Sequence, residues 1–397
     1  MTHHSDLLHA LFIQVSSDRV TPEARVHSTL AVAAADLGLL STFVVPEEMC
    51  DRDANLDQPA ISERRIRTWN RPDVDRGSAL VRRARRPAQL APLVARAAGV
   101  LRDVRPDIIY TSQQRIDVLV GRILAARFGL LHVIHLHYSV GPWLGSSTHR
   151  HIIGSDHLIA VSEAVRSSAM LRGADPSRVW TILNPTTDLA PREVGGSAAT
   201  RHALGIDPTA PIVLAAGRLD PGKGHESLLT AFERISSDVP GAQLLVCGES
   251  SWGSTYGAHL QERAVQLGLD ARVRFLGHRS DLRALMACAD VFCLPSELEP
   301  FGLVYLEAMQ AALPVVAAWS GGVPEIVVHG STGLLSYPND TEQLASDLLA
   351  VLTDGALRAR LGAAGAERAA TEYSPERIAP RWYRRLRTFH EEARRRG

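Results

Sequence analysis

The stretch PIVLAAGRLDPGKGHESLLTAFERIS, residues 211–236, decides how this chain folds. An apolar run of strand length (211–217) meets a turn with glycines at 217, 222 and 224, and the turn opens into a helical pattern at 225–236. Strand, tight turn and helix make the first half of a βαβ unit and predict a parallel sheet. The turn holds Lys223, the one lysine among 43 Lys and Arg residues. Lysine is a compact point charge on a thin stem and reaches a phosphate through a narrow gap, where the planar fork of arginine does not pass without rearrangement. Arg218, five residues earlier across the turn, can converge on the same group. Two cations beside a helix N-terminus suit a diphosphate. The turn is not a P-loop, because Gly224 follows the lysine where Ser or Thr is required.

The same rhythm extends in both directions. Downstream, strands are predicted at 242–248, 273–277, 291–295, 314–318 and 333–337, with a helix over 280–289 capped by Ser280 and further helices to the C-terminus. Upstream, strands are predicted at 9–15, 41–45, 107–112, 132–137, 157–162 and 178–183, with helices at 23–38, 115–128 and 163–172. Residues 185–210 mix Pro, Gly, Ser and Thr in a linker composition, within which 199–206 can form a short helix. The expected fold is α/β: two Rossmann-like, doubly wound domains facing a central cleft. The boundaries fall at 1–190 for the first domain, 191–375 for the second and 376–397 for a terminal helix. Clefts at domain interfaces and strand C-termini are the default ligand sites of such folds.

A length of 397 residues also favours two domains. With 45% hydrophobic and 22% charged residues and a formal net charge of zero, the chain reads as globular, without a general pull toward nucleic acid. Arginines cluster at 82, 83, 85 and 86 and again at 394–396. Solvated helix faces explain such clusters, and an anionic lipid surface is the alternative. Cys50, Cys247, Cys288 and Cys293 form no CxxC pair and have no His at zinc-finger spacing, so neither a metal site nor a disulfide frame is expected. The first residues lack a basic n-region, and no apolar run approaches transmembrane length, so a cytoplasmic protein is expected.

A second chemistry-bearing stretch is SELEPFGLVYLEAMQAALPVVAAWSGGVPEIV, residues 296–327. Glu299 and Glu307 are eight apart, but Pro300 and Gly302 keep the first part out of a helix. A helix starting near Gly302 or Leu303 leaves Glu299 in the loop beneath its N-terminus and puts Glu307 about one turn inside. The amides of Phe301, Gly302 and Leu303 then point at the same space. A ligand with hydroxyls for the carboxylates and phosphates for the amides fits this layout.

These stretches resemble the retaining glycosyltransferases of family 4, which adopt the two-Rossmann GT-B fold. GRLDPGKG, VRFLGH, ADVFCLPSELEPFGLVYLEAM, LPVVAAWSGGVPEIV and GSTGLLSYPND lie in the family's order and spacing across 211–340. SDHLIAVSEAVR and VWTILNP carry a thinner likeness in the first half, and the tail YSPERIAPRWYRRL resembles the helix that crosses back onto the first domain. The resemblance implies that Arg218 and Lys223 bind the diphosphate of a nucleotide-sugar donor in place of a divalent metal, beside Gly217. It implies that Glu307 holds the ribose hydroxyls, that Glu299 contacts the transferred sugar, that the 301–303 amides support sugar and phosphate, and that residues near Gly277 line the base. His137 stands where the family often carries a histidine facing the donor sugar. His135 lies on the same strand face and stays a competitor. The implied reaction is transfer of a sugar to a hydroxyl of a small acceptor with retention of configuration, with no cofactor and no metal. A lipid acceptor at a membrane surface and a nucleotide-sugar epimerase are the alternatives.

Three departures concern the acceptor side. Residues 16–25, SSDRVTPEAR, carry no glycine where the family has a pair. ILNPTTD replaces the usual Asn-Gly, and residues 247–260 are longer than the usual short turn. Tyr138, Trp143, Trp252 and Tyr256 can stack on a sugar or pack in the core. The D-x-D triplets at 51–53 and 73–75 lie in polar segments and are read as coincidental.

Overall fold

A computed structural model describes residues 7–17, 19–49, 53–68, 79–187, 196–251 and 253–396, with the backbone alone at 54, 79–89, 196, 197 and 396. The chain divides into two compact units, Met1–Thr187 with Pro375–Gly397, and Asp188–Ser374.

In the first unit, among the described residues, seven parallel strands form one sheet. They are β1 (Leu8–Ile13), β2 (Leu39–Pro46), β3 (Ile61–Ile66), β4 (Ile108–Ser112), β5 (Leu131–Leu136), β6 (Leu158–Ala160) and β7 (Val179–Thr181), ordered β3-β2-β1-β4-β5-β6-β7. The direction of winding reverses between β1 and β4, the position where open α/β sheets bind ligands. Strand β3 is an addition to the sequence reading. Its run ISERRI has apolar residues only at its ends, which are the two buried positions, as suits an edge strand. The helix Pro22–Ala34 starts at Thr21, whose hydroxyl accepts from Ala24 N at 3.2 Å, with Pro22 pre-set for the first turn. The C-terminal helix Pro375–Arg396 packs against it and buries Ile378, Trp382, Leu386 and Phe389. An aromatic interior joins these layers: Phe12 stacks on Phe43 with centroids 4.3 Å apart, and Trp382 Nε1 donates to the Tyr110 hydroxyl at 3.0 Å.

In the second unit, six parallel strands form the other sheet among the described residues. They are β8 (Ile212–Ala216), β9 (Gln243–Cys247), β10 (Val273–Gly277), β11 (Val291–Leu294), β12 (Val315–Ala318) and β13 (Gly333–Ser336), ordered β10-β9-β8-β11-β12-β13. The reversal here lies between β8 and β11. Both faces are covered, and β8 and β11 are buried at every position, as their unbroken apolar runs require. The helix Leu282–Cys288 begins at Asp281 without a side-chain cap, so Ser280 is not its cap. Asp281 is instead held by Arg279 through contacts of 2.7 and 2.6 Å.

Among the described residues no helix is long and apolar enough to cross a membrane. The arginines at 82–86 lie in the helix Ala79–Val104, and their side chains lie outside the description. Arg394 and Arg395 are exposed.

Candidate functional site

The C-terminal ends of β8 and β11, on either side of the reversal, carry the two stretches singled out by sequence. The turn after β8 is held by its own backbone, by β9 and by the His225 side chain. Gly217 N donates to Cys247 O at 3.0 Å, Lys223 N to Asp220 O at 3.0 Å, and the His225 Nε2 proton to Arg218 O at 3.1 Å. Gly224 has φ of 74°, and a Cβ there would sit 2.0 Å from the Pro295 carbonyl oxygen, so only glycine fits. Glu297 N donates to Gly222 O at 3.0 Å, which ties the loop after β11 to the turn.

Glu299 lies in that loop, and Lys223 Nζ reaches its Oε2 at 2.7 Å. The carboxylate side chain is 9% exposed and the lysine 21%. Glycine again sets the backbone: a Cβ on Gly321 would stand 2.0 Å from Glu299 O, and Gly322 N donates to the same oxygen at 2.8 Å. The helix Leu303–Gln310 follows, with Gly302 as N-cap at φ 100° and no side-chain capping bond. The helix His225–Ile235 likewise starts at Gly224 without a side-chain cap. Both helix N-termini therefore offer first-turn amides to an anion. Phe301 is buried against Tyr373, and Glu307 is half-buried one turn into its helix.

The two cations of the turn hold different carboxylates. Arg218 is 64% exposed and pairs with Asp220 at 3.2 Å, a contact worth little in water, so the guanidinium can swing to a ligand at small cost. Asp220 also accepts from Ser251 Oγ at 2.7 Å, a bond supplied by the long segment after β9. Gly217, Gly248 and Gly277 lie side by side at the ends of β8, β9 and β10. Gly248 N donates to Gly277 O at 2.8 Å, and a Cβ on Gly248 would stand 1.8 Å from Gly217 O. Tyr256 packs on the core of this unit, and Trp252 lies outside the described residues.

In the first unit, the loops after β1 and β4 flank the reversal and line a pocket of about 240 Å³ with Gln14, Ser16, Arg19, Glu23, His27 and Asp117 among its walls. Asp117 is buried and accepts from Val15 N at 3.0 Å, Ser16 Oγ at 2.6 Å and Ser112 Oγ at 3.2 Å. Burial raises its carboxyl to about 7 against these bonds, which favour the charged form. Sequence reading passed over Asp117 because a single Asp inside a helix carries no motif.

His135 and His137 do share a face: their ring centroids are 4.2 Å apart. Both are buried, and burial lowers His137 to about 3. His137 Nε2 meets His27 Nε2 at 3.0 Å, a partner 110 residues away that the sequence did not announce. Trp143 is half exposed, and its ring meets Tyr138 edge-on with centroids 6.0 Å apart. Of the D-x-D residues, Asp51, Asp73 and Asp75 lie outside the described residues. Asp53 is buried and accepts from Ser28 Oγ at 2.7 Å and Asn55 N at 3.0 Å.

Comparison with known proteins bears on the family and the fold. Residues 197–368 match the family described as glycosyl transferases group 1. Alpha-maltose-1-phosphate synthase of Mycolicibacterium smegmatis is 32% identical over 66% of this chain and 74% of its own length. D-inositol 3-phosphate glycosyltransferase of Corynebacterium efficiens is 38% identical over 49% of this chain, and the match spans about half of that relative, 48% of its length. The crystal structure of Anabaena HepE in complex with UDP and glucose superposes with a TM-score of 0.77 at 25% identity, covering 95% of this chain and 98% of that one. With two doubly wound parallel sheets and these likenesses, the chain is a member of the glycosyl transferases group 1 family, a transferase enzyme with the GT-B fold.

Proposed function

We propose that this enzyme moves a sugar from a nucleoside diphosphate to a hydroxyl of a small acceptor, with retention of configuration and without a metal on the diphosphate. The observation that carries the reading is the meeting of Lys223 and Glu299 at 2.7 Å beside two helix N-termini that no side chain caps. A departing diphosphate gains negative charge, which a fixed ammonium, a guanidinium and oriented amides stabilise. Lys223 and Arg218 take that role here, with the amides of the helix His225–Ile235. Glu299 positions the ammonium in the free enzyme and contacts the transferred sugar in the complex, with the Phe301, Gly302 and Leu303 amides beside it. Glu307 binds the ribose, and Gly217, Gly248 and Gly277 leave room for the base. HepE, bound to UDP and glucose, supports a nucleoside-diphosphate donor.

The acceptor reading places a small hydroxylated molecule in the pocket between the loops after β1 and β4, whose polar walls suit one. His137 as the group facing the transferred sugar rests on the resemblance. The membrane-surface alternative rests on the arginines at 82, 83, 85 and 86, whose side chains lie outside the described residues.

A thermal-shift series of nucleoside diphosphates and their sugars tests the donor. One diphosphate is expected to raise Tm in EDTA as well as in Mg²⁺. Binding that requires Mg²⁺ or Mn²⁺ overturns the metal-free reading of the diphosphate. Proton NMR of the first product then reads the anomeric configuration, and inversion overturns retention.

A further inference from the structure

His27, His135 and His137 come from the helix Pro22–Ala34 and from the end of β5. One ring nitrogen of each lies within 4.8 Å of the others, and all three side chains are buried. We propose that these three imidazoles form a binding site for a divalent transition metal of the zinc class. The inference leaves the diphosphate reading in the second unit untouched, and it gives His137 a metal in place of the donor sugar that the resemblance would set against it.

His135 Nε2 is buried and has no hydrogen-bond partner among the described residues. A fully buried polar nitrogen left without a partner costs stability unless something else takes it. Its other nitrogen, Nδ1, lies 2.9 Å from the Tyr110 hydroxyl, whose oxygen also accepts from Trp382 Nε1 at 3.0 Å. An oxygen with two lone pairs can accept both protons, which leaves the Nε2 lone pair facing the cluster. His27 reaches the same arrangement once the Gln14 amide, whose nitrogen now donates to its ring, is flipped. Its Nδ1 is 3.1 Å from the Gln14 amide nitrogen, Nε2, and its own Nε2 faces His137 Nε2 at 3.0 Å. With the Gln14 amide turned so that its oxygen accepts, His27 also presents a lone pair. Ligating histidines are held in this way, with the far nitrogen donating to an outer partner that fixes ring and tautomer.

The spacing fits. Zinc–nitrogen bonds of about 2.0–2.1 Å set tetrahedral neighbours about 3.3 Å apart. The observed separations, from 3.0 Å to within 4.8 Å, bracket that value. Imidazole suits zinc, copper and nickel, whereas magnesium requires oxygen ligands. The charge is also provided for. Glu23 sits one turn before His27 on the same helix, is buried, and keeps Oε2 without a hydrogen-bond partner among the described residues. His27 lines the pocket that opens from the loops after β1 and β4, which gives a route for the ion and a place for a fourth, water ligand.

Titrating the EDTA-dialysed full-length chain with Zn²⁺ and Co²⁺ tests the site, read by calorimetry and by the visible bands of tetrahedral cobalt. One equivalent is expected to bind, with no uptake of Mg²⁺. His135→Gln and His27→Gln are each expected to remove the cobalt bands and weaken binding at least tenfold. Gln14→Glu, at a half-buried position that spares the core, is expected to tighten binding severalfold by giving His27 Nδ1 a carboxylate partner. If either histidine variant fails to fold by circular dichroism, Gln14→Glu decides alone. No stoichiometric binding, binding unchanged in the folded histidine variants, or an affinity indifferent to Gln14→Glu overturns the proposal.

Discussion

The two units carry the same topological feature, the connection from a first strand to a first helix beside the sheet's reversal, and build it in opposite ways. After β8 the connection is GRLDPGKG, with glycine at the helix N-cap, no side-chain cap and a cation aimed at a carboxylate. After β1 it is QVSSDRVT, without glycine, ending in a threonine whose hydroxyl occupies the helix's own amide. One helix N-terminus is left open for an anion and the other is closed by its own chain. The open turn suits the diphosphate proposed for it. The closed one leaves recognition to side chains: Gln14, Ser16, Arg19 and Asp117 line the pocket.

The largest expected effect lies in the open turn. Lys223→Ala is expected to lower turnover by about 10²–10³-fold, the scale of losing one preorganised charge-stabilising group. It also leaves the buried Glu299 carboxylate unpaired, at a cost of about 1–3 kcal/mol in stability. Lys223→Arg restores the charge but not the slim reach, so turnover is expected to stay low. Near-normal turnover in either variant breaks the assignment. Glu307→Ala is expected to weaken nucleoside-diphosphate affinity about tenfold, since each 1.4 kcal/mol is tenfold. An unchanged calorimetric Kd removes the ribose role.

Gly224→Ala forces a Cβ against the Pro295 carbonyl and a side chain into the left-handed region. A melting curve is expected to record at least about 1–3 kcal/mol of strain, and diphosphate binding is expected to fall with it. The matching change in the closed connection is milder. Thr21→Ala removes one cap bond, about 1 kcal/mol, with diphosphate affinity unchanged. Equal losses of diphosphate affinity in the two variants erase the contrast between the connections.

The pH dependence sharpens the same contrast at smaller scale. His225, behind the open turn, is lowered by burial from 6.5 to about 4. The unfolded chain then holds more protons between these values, so this contribution is complete above 6.5 and is lost as pH falls through 4. Asp117, behind the closed connection, has the opposite sign. Burial raises it from 3.8 to about 7, so its contribution is complete below 3.8 and is lost as pH rises through 7. His132, lowered by burial to about 3, acts in the sense of His225 within the first unit. Hydrogen-exchange protection, read segment by segment, is expected to rise with pH around Gly217–Gly224. Asp117→Asn is expected to remove a falling component around Gln14–Ser16. Profiles of the same shape in wild type and Asp117→Asn rule out the aspartate's part.

Much of the proposed donor side was legible because its residues lie close together along the chain. A strand, a glycine turn and a lone lysine stand within one short run, and Gly321 marks where backbone must pass close to Glu299. The edge strand β3 was missed because four of its six residues are polar or charged, and a strand with one neighbour needs no apolar run. The Ser280 cap failed because Asp281 sits nearer the helix start and is held by Arg279.

By itself the sequence determined two strand–helix rhythms, the break between them, and the glycine turn with its two cations, because period and turn chemistry are properties of neighbours along a chain. Tertiary structure alone decided which distant residues meet. It set Lys223 on Glu299, 76 residues on, and Gly222 against Glu297, because the sheet order places β11 beside β8. It brought His27 across 110 residues to His137. A helix packed over the sheet sets that meeting, and neither partner carries any mark of it in its own surroundings. The glycine-free stretch after β1 is therefore read best from its fold: a self-capped connection, with a polar pocket and three imidazoles behind it.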